Sequence, residues 1–267
     1  MDFPDYQFQT DTLRRLAARY GLRRYAIGES LCGRAIMAAD AGSGSQRVLL
    51  VGGVHGNEYL TVLAALRFLE EYAQKPTGVQ LTVVPCLNPD GTQIALCTDK
   101  NWKANARGVD LNHNFDADWQ QVKAKEIALG ITKPSATRYG GVCPVSEPET
   151  RALVRLCEAT RFERVLALHS QGREIYWDFG ADTPPCCLQM AEQMAAVSGY
   201  QTAAPEDIAT GGGFKDWFIR RFSRCGFTVE MGWGKNPLPL TDFEAEYPRV
   251  RQLLAVFTGS SCMKKEE

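Results

Sequence analysis

The alternation of apolar and polar residues divides the chain into short strands and longer amphipathic helices. Compact β-branched and leucine-rich runs predict strands. They lie at 24–27, 35–39, 79–85, 164–169, 174–179 and 227–231, with one more from Val48 to the Gly52-Gly53 turn. Apolar residues at helical spacing predict helices at 11–20, after residue 60, from 146 to 157, at 188–197, at 214–222 and at 242–257. This alternation predicts an α/β fold.

Chain length favours a single domain, since one α/β domain commonly reaches 267 residues. We expect one catalytic domain over 1–267, with its core at about 10–258 and a flexible tail at 259–267.

Asp11 is the expected cap of the first helix, and Ser146 and Glu149 have the spacing of a capping box. Between the turn at 88–91 and Pro144 little is periodic, which predicts a long functional loop.

Charge and hydropathy exclude several classes of protein. The formal charge is −1 and the basic residues are dispersed, so we expect no nucleic-acid partner. No window approaches the ~18 apolar residues that span a bilayer, so we expect no membrane insertion. The acidic N-terminus lacks a secretion signal, which favours a cytoplasmic location. Protein partners are left unknown.

The nine cysteines are a poor disulfide framework, because their number is odd and their spacing is not repeated. Five of them lie in or beside apolar segments and are expected to be small buried hydrophobes: Cys86, Cys97, Cys143, Cys157 and Cys225. The adjacent Cys186 and Cys187 are soft metal ligands by type, but they have no C-x-x-C partner.

Two histidines stand at the ends of predicted strands. His55 and Glu58 lie three positions apart on the corner between a strand and a helix, and His169 ends the run RVLALH. Ligands of open α/β sheets bind at the carboxyl ends of strands. Catalytic zinc takes three protein ligands and leaves a fourth position open. We therefore predict a His2Glu zinc site, although a lone H-x-x-E also suits a histidine that caps a helix.

Glu230 is the single carboxylate in the apolar strand FTVEM. Burying an unpaired carboxylate is costly, so this residue needs either a partner or a catalytic role. A carboxylate beside a zinc-activated water acts as general base and then as general acid. A structural salt bridge to an arginine is the alternative.

Polar residues cluster in the aperiodic segment. Lys103, Arg107, Asn112 and His113 lie close together in sequence there. Such groups suit a pocket for a carboxylate and a polarised carbonyl oxygen. They also suit a loop that faces solvent, and the two interpretations stay open.

Five motifs in fixed order give the chain a resemblance to the zinc carboxypeptidases. They are HGNE at 55–58, NPDG at 88–91, GVDLN at 108–112, HSQG at 169–172 and FTVEMG at 227–232. The resemblance runs from about residue 10 to 258. It implies a sandwich with a mixed, twisted sheet of about eight strands and helices on both faces.

Further motifs resemble the bacterial γ-D-glutamyl-diamino acid peptidases, which act on murein peptides. They are ARGVDLN at 106–112, SEPET at 146–150, SQGREIYW at 170–177 and GGGFKDW at 211–217. The resemblance implies a zinc metallopeptidase that hydrolyses peptide or γ-D-glutamyl-diamino acid amide bonds of small cell-wall peptides. It leaves open whether the enzyme is an exopeptidase or an endopeptidase.

The resemblance also implies roles for single residues. His55, Glu58 and His169 look like the ligands of one zinc ion, and Glu230 looks like the general base. Ser170 falls where the family positions substrate backbone. Asn112 matches the asparagine that binds the substrate carboxylate.

The chain departs from the family pattern at three places. Lys103 stands where an arginine steadies the scissile carbonyl oxygen, so we expect it to be catalytic, without the planar fork of arginine. His113 stands where a carboxylate-binding arginine is expected, and Arg173 or Lys215 are candidates to hold the acid groups of the substrate. No tyrosine lies between Tyr200 and Tyr247 to cover the substrate.

Two other functions are compatible with the motifs. An aspartoacylase-like zinc amidohydrolase shares H-x-x-E, a later histidine and a D-L-N-like loop, but lacks the SQGREIYW and GGGFKDW segments. A catalytically weak module that keeps zinc and binds wall peptides would explain the altered Lys103 and His113.

Overall fold

The computed structural model describes residues 3–205 and 210–259 of the chain. In these ranges the strands are β1 Arg23–Glu29, β2 Ala35–Ala41, β3 Gln46–Val51, β4 Val79–Val84, β5 Arg164–His169, β6 Glu174–Tyr176, β7 Gln201–Thr202 and β8 Cys225–Glu230. The helices are α1 Tyr6–Tyr20, α2 Leu60–Gln74, α3 Pro89–Cys97, α4 Trp119–Ala128, α5 Pro148–Thr160, α6 Cys186–Ser198, α7 Phe214–Phe222 and α8 Phe243–Gly259. The predicted tail at 259–267 lies, beyond residue 259, outside the described residues.

All eight strands form one mixed sheet in the order β1-β2-β4-β3-β5-β8-β6-β7. The four strands β4, β3, β5 and β8 run parallel, whereas β1, β2 and β6 each pair antiparallel with a neighbour. The predicted mixed eight-stranded sheet is confirmed. Because β4 and β5 lie on opposite sides of β3, the chain changes direction across the sheet at β3, and a crevice opens at the carboxyl ends of these strands.

Two hydrophobic cores cover the two faces of the sheet. Along β3, Val48 and Leu50 face the core formed with α1, α2, α6 and α8. Leu49 and Val51 alternate with them and face the second core, which contains side chains of α5 and α7. A strand buried on both faces has no polar alternation, which is why this run is apolar throughout. The predicted helices on both faces are confirmed.

Helix boundaries differ from the predictions where caps decide them. The first helix starts at Tyr6, and Asp5 is its cap, since the carboxylate accepts a hydrogen bond from Phe8 N at 2.7 Å. The prediction of Asp11 as the cap is wrong. The capping box is also wrong: α5 begins after Glu147, and Glu149 accepts a hydrogen bond from Leu31 N instead.

The segment predicted to be aperiodic contains helices α3 and α4 and a short 3-10 turn, Leu111–His113. Asn88 caps α3 by accepting a hydrogen bond from Gly91 N at 2.9 Å, so this motif begins a helix rather than a simple turn. The prediction of one long loop is therefore wrong. Helix α4 has little amphipathic pattern in its sequence, because its apolar residues are dispersed among the polar ones rather than gathered on one face.

The cysteines are less uniform than predicted. Cys86 and Cys157 are free and buried, as expected, but Cys97 and Cys143 are exposed. A disulfide joins Cys187 and Cys225, so the interpretation of Cys225 as an isolated hydrophobe is wrong. None of the described helices is both long enough and apolar enough to cross a bilayer.

Candidate metal centre

His55 and Glu58 lie on the corner that leads from β3 into α2. Their backbones form a turn in which Glu58 N donates to His55 O at 3.2 Å. Between them, Gly56 packs so tightly that a Cβ atom there would lie 2.3 Å from Gly91 O. The turn therefore rests directly on the backbone at the start of α3, and glycine is required because any side chain would displace one of the two segments.

His169 ends β5, the strand next to β3, and its ring joins the other two side chains. Its Nδ1 atom lies 3.2 Å from His55 Nδ1 and 3.2 Å from Glu58 Oε2. His55 Nδ1 lies 2.9 Å from Glu58 Oε1. The three ligand atoms are thus mutually close and all three residues are buried. The structure brings together the three residues that the sequence singled out.

The three donors fit a zinc ion. Zinc bonds to histidine nitrogen at about 2.0–2.1 Å in tetrahedral geometry, which places two such nitrogens about 3.3 Å apart. The Nδ1 atoms of His55 and His169 are 3.2 Å apart. Two nitrogens and a carboxylate are also a donor set that catalytic zinc sites use, and they leave a position open for a further ligand.

Asp110 orients the ring of His55. Its Oδ1 atom lies 2.9 Å from His55 Nε2, on the far side of the ring from Glu58. The carboxylate also accepts hydrogen bonds from the backbone nitrogens of Asn112 and Arg138. A carboxylate behind a histidine ligand fixes its tautomer and makes it a better donor. Asp110 lies in the GVDLN motif, but the sequence analysis gave it no role of its own.

The charges of the cluster are balanced by Lys103. Its Nζ atom lies 3.0 Å from Glu58 Oε1. Burial raises the pKa of Glu58, but the charges of His55 and Lys103 outweigh it and hold that pKa well below its usual value. For His55 the signs are reversed. Burial lowers its pKa, but the negative charges of Glu58 and Asp110 outweigh burial and raise the pKa to about 10. Lys103 is therefore brought to the predicted centre.

Glu230 ends β8 and is paired with His169 across the strands. Burial, and then the negative charge of Glu58, raise its pKa to about 8. A carboxylate with such a pKa binds a proton far more readily than an ordinary one. No salt bridge of Glu230 to an arginine is found among residues 3–205 and 210–259, so the structural alternative has no support there.

Ser170 and Asn236 form a polar wall beside the ligands. Ser170 N donates to Glu58 Oε2 at 3.2 Å, and Ser170 Oγ donates to Asn236 Oδ1 at 2.8 Å. The amide of Asn236 in turn donates to Ser170 O at 2.5 Å. Asn236 was not predicted, because no motif marks it and a loop after β8 brings it back to the site.

Asn112 and His113 lie on the short 3-10 turn that Asp110 caps. Asn112 Oδ1 accepts a hydrogen bond from Phe214 N at 3.1 Å, which ties the turn to the start of α7. His113 is buried and turned away, with Nδ1 3.1 Å from Glu126 Oε1. His113 is thus not brought to the ligands, and its role in substrate binding stays a prediction.

Arg173 and Lys215 have partners of their own. Arg173 Nη2 lies 2.7 Å from Glu246 Oε2. Lys215 is buried in an ion pair with Asp216 and donates to Asp178 O at 2.6 Å. The sequence analysis did not anticipate these ion pairs: Glu246 is distant from Arg173 in sequence, and Asp216 directly follows Lys215. Binding of substrate by Arg173 likewise stays a prediction.

Comparisons with known proteins agree with this geometry. A family model described as zinc carboxypeptidase matches residues 10–250. The chain is 33% identical to gamma-D-glutamyl-L-diamino acid endopeptidase 1 of Lysinibacillus sphaericus over 95% of this chain and 71% of that protein. It is 34% identical to murein peptide amidase A of Escherichia coli K12, over 53% of this chain and 57% of that protein.

The fold has solved counterparts. Bovine thrombin-activatable fibrinolysis inhibitor, in complex with tick carboxypeptidase inhibitor, superposes with a TM-score of 0.80 at 17% identity. The match covers 96% of each chain. At this identity the likeness concerns the fold alone.

Proposed function

The chain belongs to the zinc carboxypeptidase family, and from this premise we propose that it hydrolyses γ-D-glutamyl-diamino acid bonds in peptides derived from the cell wall. Membership makes it a zinc metallopeptidase. The substrate class is supported by two relatives, whose names specify a gamma-D-glutamyl-L-diamino acid bond and a murein peptide. The observation that carries the proposal is the convergence of His55, Glu58 and His169 beside Glu230.

His55, Glu58 and His169 would hold the zinc ion. When bound there, zinc supplies a Lewis acid that polarises the scissile carbonyl group and lowers the pKa of water. These ligands follow the carboxyl ends of β3 and β5, beside the end of β8, which is the edge at which open α/β sheets bind their ligands.

Glu230 acts as the general base and then as the general acid. Its carboxylate takes a proton from the attacking water molecule and returns that proton to the leaving amine. The position of Glu230 supports both steps, because it ends β8 beside His169 and so lies next to the ligands that would hold the metal.

Lys103 stabilises the negative charge that develops on the carbonyl oxygen. Its ammonium group lies 3.0 Å from Glu58 Oε1, so it is next to the proposed metal ligands. Ser170 and Asn112 position the substrate, the first beside the ligands and the second at the start of α7. Partners other than a small peptide substrate form no part of the proposal.

A cytoplasmic location is part of the same proposal. Five cysteines of the described residues are free, and three of these, Cys32, Cys97 and Cys143, are exposed. Exposed free thiols are typical of proteins in a reducing compartment, whereas the Cys187–Cys225 disulfide taken alone favours an oxidising one. Fractionation of the host cell, with a cytoplasmic and an extracellular marker, tests the location.

Mass spectrometry of reaction products tests the activity. Zinc-loaded protein is incubated with defined muropeptides, with peptides that end in an ordinary residue, and with N-acyl amino acids. Release of the diamino acid fragment from the γ-D-glutamyl linkage is expected, and the Glu230→Gln variant should not release it. Preference for N-acyl amino acids would support the aspartoacylase-like alternative. Binding of muropeptides without turnover would support the binding module.

A further inference from the structure

Glu174 and Glu230 stand opposite each other on neighbouring strands. Glu174 is the first residue of β6, and in the antiparallel register it is the partner of Glu230, the last residue of β8. Directly opposed residues of such a pair project from the same face of the sheet, with Cβ atoms about 4.5–5.5 Å apart. Burial and then the charge of Glu58 raise the pKa of Glu230, and the charge of Glu174 raises it further. A second carboxylate therefore lies beside the proposed general base, and the sequence analysis gave it no role.

The carboxylate of Glu174 has no cationic partner in the described part of the chain. It accepts a hydrogen bond from the hydroxyl group of Tyr176 at 2.7 Å, and it forms no ion pair there. Arg173, its neighbour in sequence, and Lys103 at the metal centre each pair with another carboxylate. Two neighbouring carboxylates disfavour each other's charged form unless a cation compensates them. The pair of Glu174 and Glu230 therefore favours a cationic group at this place.

The side chain of Glu174 packs against the segment that follows the metal ligand His169. It lies over Gly172, where an added Cβ atom would be 3.4 Å from Glu174 Oε2. The backbone nitrogen of Gly172 donates to Gly232 O at 3.0 Å, so this segment is held against the turn after β8. The carboxylate of Glu174 thus has a defined position next to the residues that would carry out hydrolysis.

We propose that Glu174 determines which leaving residue is accepted, because its carboxylate binds the free ammonium group of a diamino acid. This inference rests on the proposed function and names the side chain that recognises the second amino group. In a γ-D-glutamyl-diamino acid bond one amino group is acylated. The other amino group, with a pKa of about 10.4 when it belongs to a lysine, carries a positive charge at neutral pH. Glu230 returns a proton to the first nitrogen, and Glu174 binds the second.

Charge complementarity separates a diamino acid from other leaving residues. An apolar side chain of the same length would leave Glu174 without a cation, and one charge-assisted hydrogen bond would be lost. The strength of hydrogen bonds to charged groups corresponds to a factor of roughly 10 to 100 in binding. The hydroxyl group of Tyr176 holds the carboxylate in place before the substrate arrives, so little conformational freedom is lost on binding.

Two pairs of γ-D-glutamyl peptides test this role of Glu174. In one pair the leaving residue is L-lysine or L-2-aminoheptanoate, and in the other it is diaminopimelate or 2-aminopimelate. Within each pair the side chains have the same length, and the second member lacks the free ammonium group. With the zinc-loaded wild type, kcat/KM should be roughly 10- to 100-fold higher for the member with the ammonium group, in whichever pair is hydrolysed.

Glu174→Gln should bring this ratio of kcat/KM values close to one, because the amide keeps the shape of the side chain but has no negative charge. Glu174→Asp keeps the charge and should keep the direction of the preference. Effects on the zinc ion or on Glu230 change both members of a pair alike, so the ratio isolates the contact with the ammonium group. Glu158→Gln, which removes an exposed carboxylate paired with Arg221, is the matched control and should keep the wild-type ratio.

The outcomes separate this inference from the proposed function. Equal kcat/KM values within each pair for the wild type, or a wild-type ratio in Glu174→Gln, would overturn the role of Glu174. Either result would leave the proposed γ-D-glutamyl activity unaffected. Hydrolysis of none of the four peptides by the wild type would overturn both. The wild-type ratio decides the matter even if Glu174→Gln does not fold, because it needs no variant.

Discussion

The Nε2 atom of His55 lies 2.9 Å from Oδ1 of Asp110, while Nδ1 of the same ring points to Glu58 and His169. The carboxylate thus fixes which nitrogen of the ring is available as a ligand. This relationship makes Asp110 part of the metal centre without direct contact between Asp110 and the ion.

Asp110→Asn should weaken zinc binding by roughly 10- to 100-fold, as is usual for outer-sphere partners of histidine ligands. The amide keeps the shape of the carboxylate but loses its charge. Competition with a zinc chelator measures the change. Asp40→Asn is a suitable control, since Asp40 is also buried but bonds to Tyr25 and Thr82. Equal zinc affinities of the two variants would contradict the role of Asp110.

Glu230→Gln should lower the rate of hydrolysis by about 100- to 10,000-fold, because the amide cannot accept the proton of the attacking water. Zinc content should stay at one ion per chain, since Glu230 is not a ligand. Steady-state kinetics with a γ-D-glutamyl peptide give the rate. Glu244→Gln changes an exposed carboxylate that pairs with Arg67 and should keep full activity. Near-normal turnover by the Glu230→Gln variant would show that Glu230 is not the general base.

Gly56→Ala should reduce both stability and zinc affinity. The added Cβ would meet Gly91 O at 2.3 Å and Trp102 O at 2.8 Å, so the corner that carries His55 and Glu58 must shift. Overpacking of this kind costs about 1–3 kcal/mol of unfolding free energy. Denaturant titration and zinc competition check both effects. At Gly78 a Cβ meets nothing within 4 Å, so Gly78→Ala should change neither quantity, and an equal effect of both substitutions would argue against a tight corner.

Glu149 should make the folded protein more stable as the pH falls from neutral. Burial raises the pKa of this carboxyl group above its usual value, so the folded state binds the proton more tightly than the unfolded state. This contribution to stability is complete below the pKa that Glu149 has in the unfolded state. It is lost as the pH rises through the pKa that Glu149 has in the folded state. Denaturant titrations of wild type and Glu149→Gln between pH 7 and 4.5 measure it. As the pH falls, the free energy of unfolding of the wild type should rise relative to that of the variant. A difference between the two that does not change with pH would contradict the prediction.

Much of the scaffold of the site is visible in the sequence. The strands that lead to His55, His169 and Glu230 are buried, so their sequences are almost continuously apolar. Such runs can be recognised without knowing which elements pack against them. Parallel neighbours then bring their carboxyl ends to one edge. The metal ligands are predictable for this reason, since their position depends on strand ends rather than on detailed packing.

Other parts of the site depend on contacts that no local pattern shows. Helix α4 lacks a clear amphipathic pattern, and α3 begins within a turn-like motif. His113 and Arg173 are paired with Glu126 and Glu246, which are 13 and 73 residues away in sequence. Asn236 reaches Ser170 across 66 residues. Such pairings are set by the tertiary fold, so the sequence gives the residue types without their partners.

Anomalous diffraction at the zinc absorption edge, from crystals of the zinc-loaded protein, tests the central claim most directly. One strong peak is expected at the catalytic centre, about 2.0–2.2 Å from His55 Nδ1, a carboxylate oxygen of Glu58 and His169 Nδ1. A peak bound to other residues, or a ring of His169 that faces away from His55 and Glu58, would contradict it.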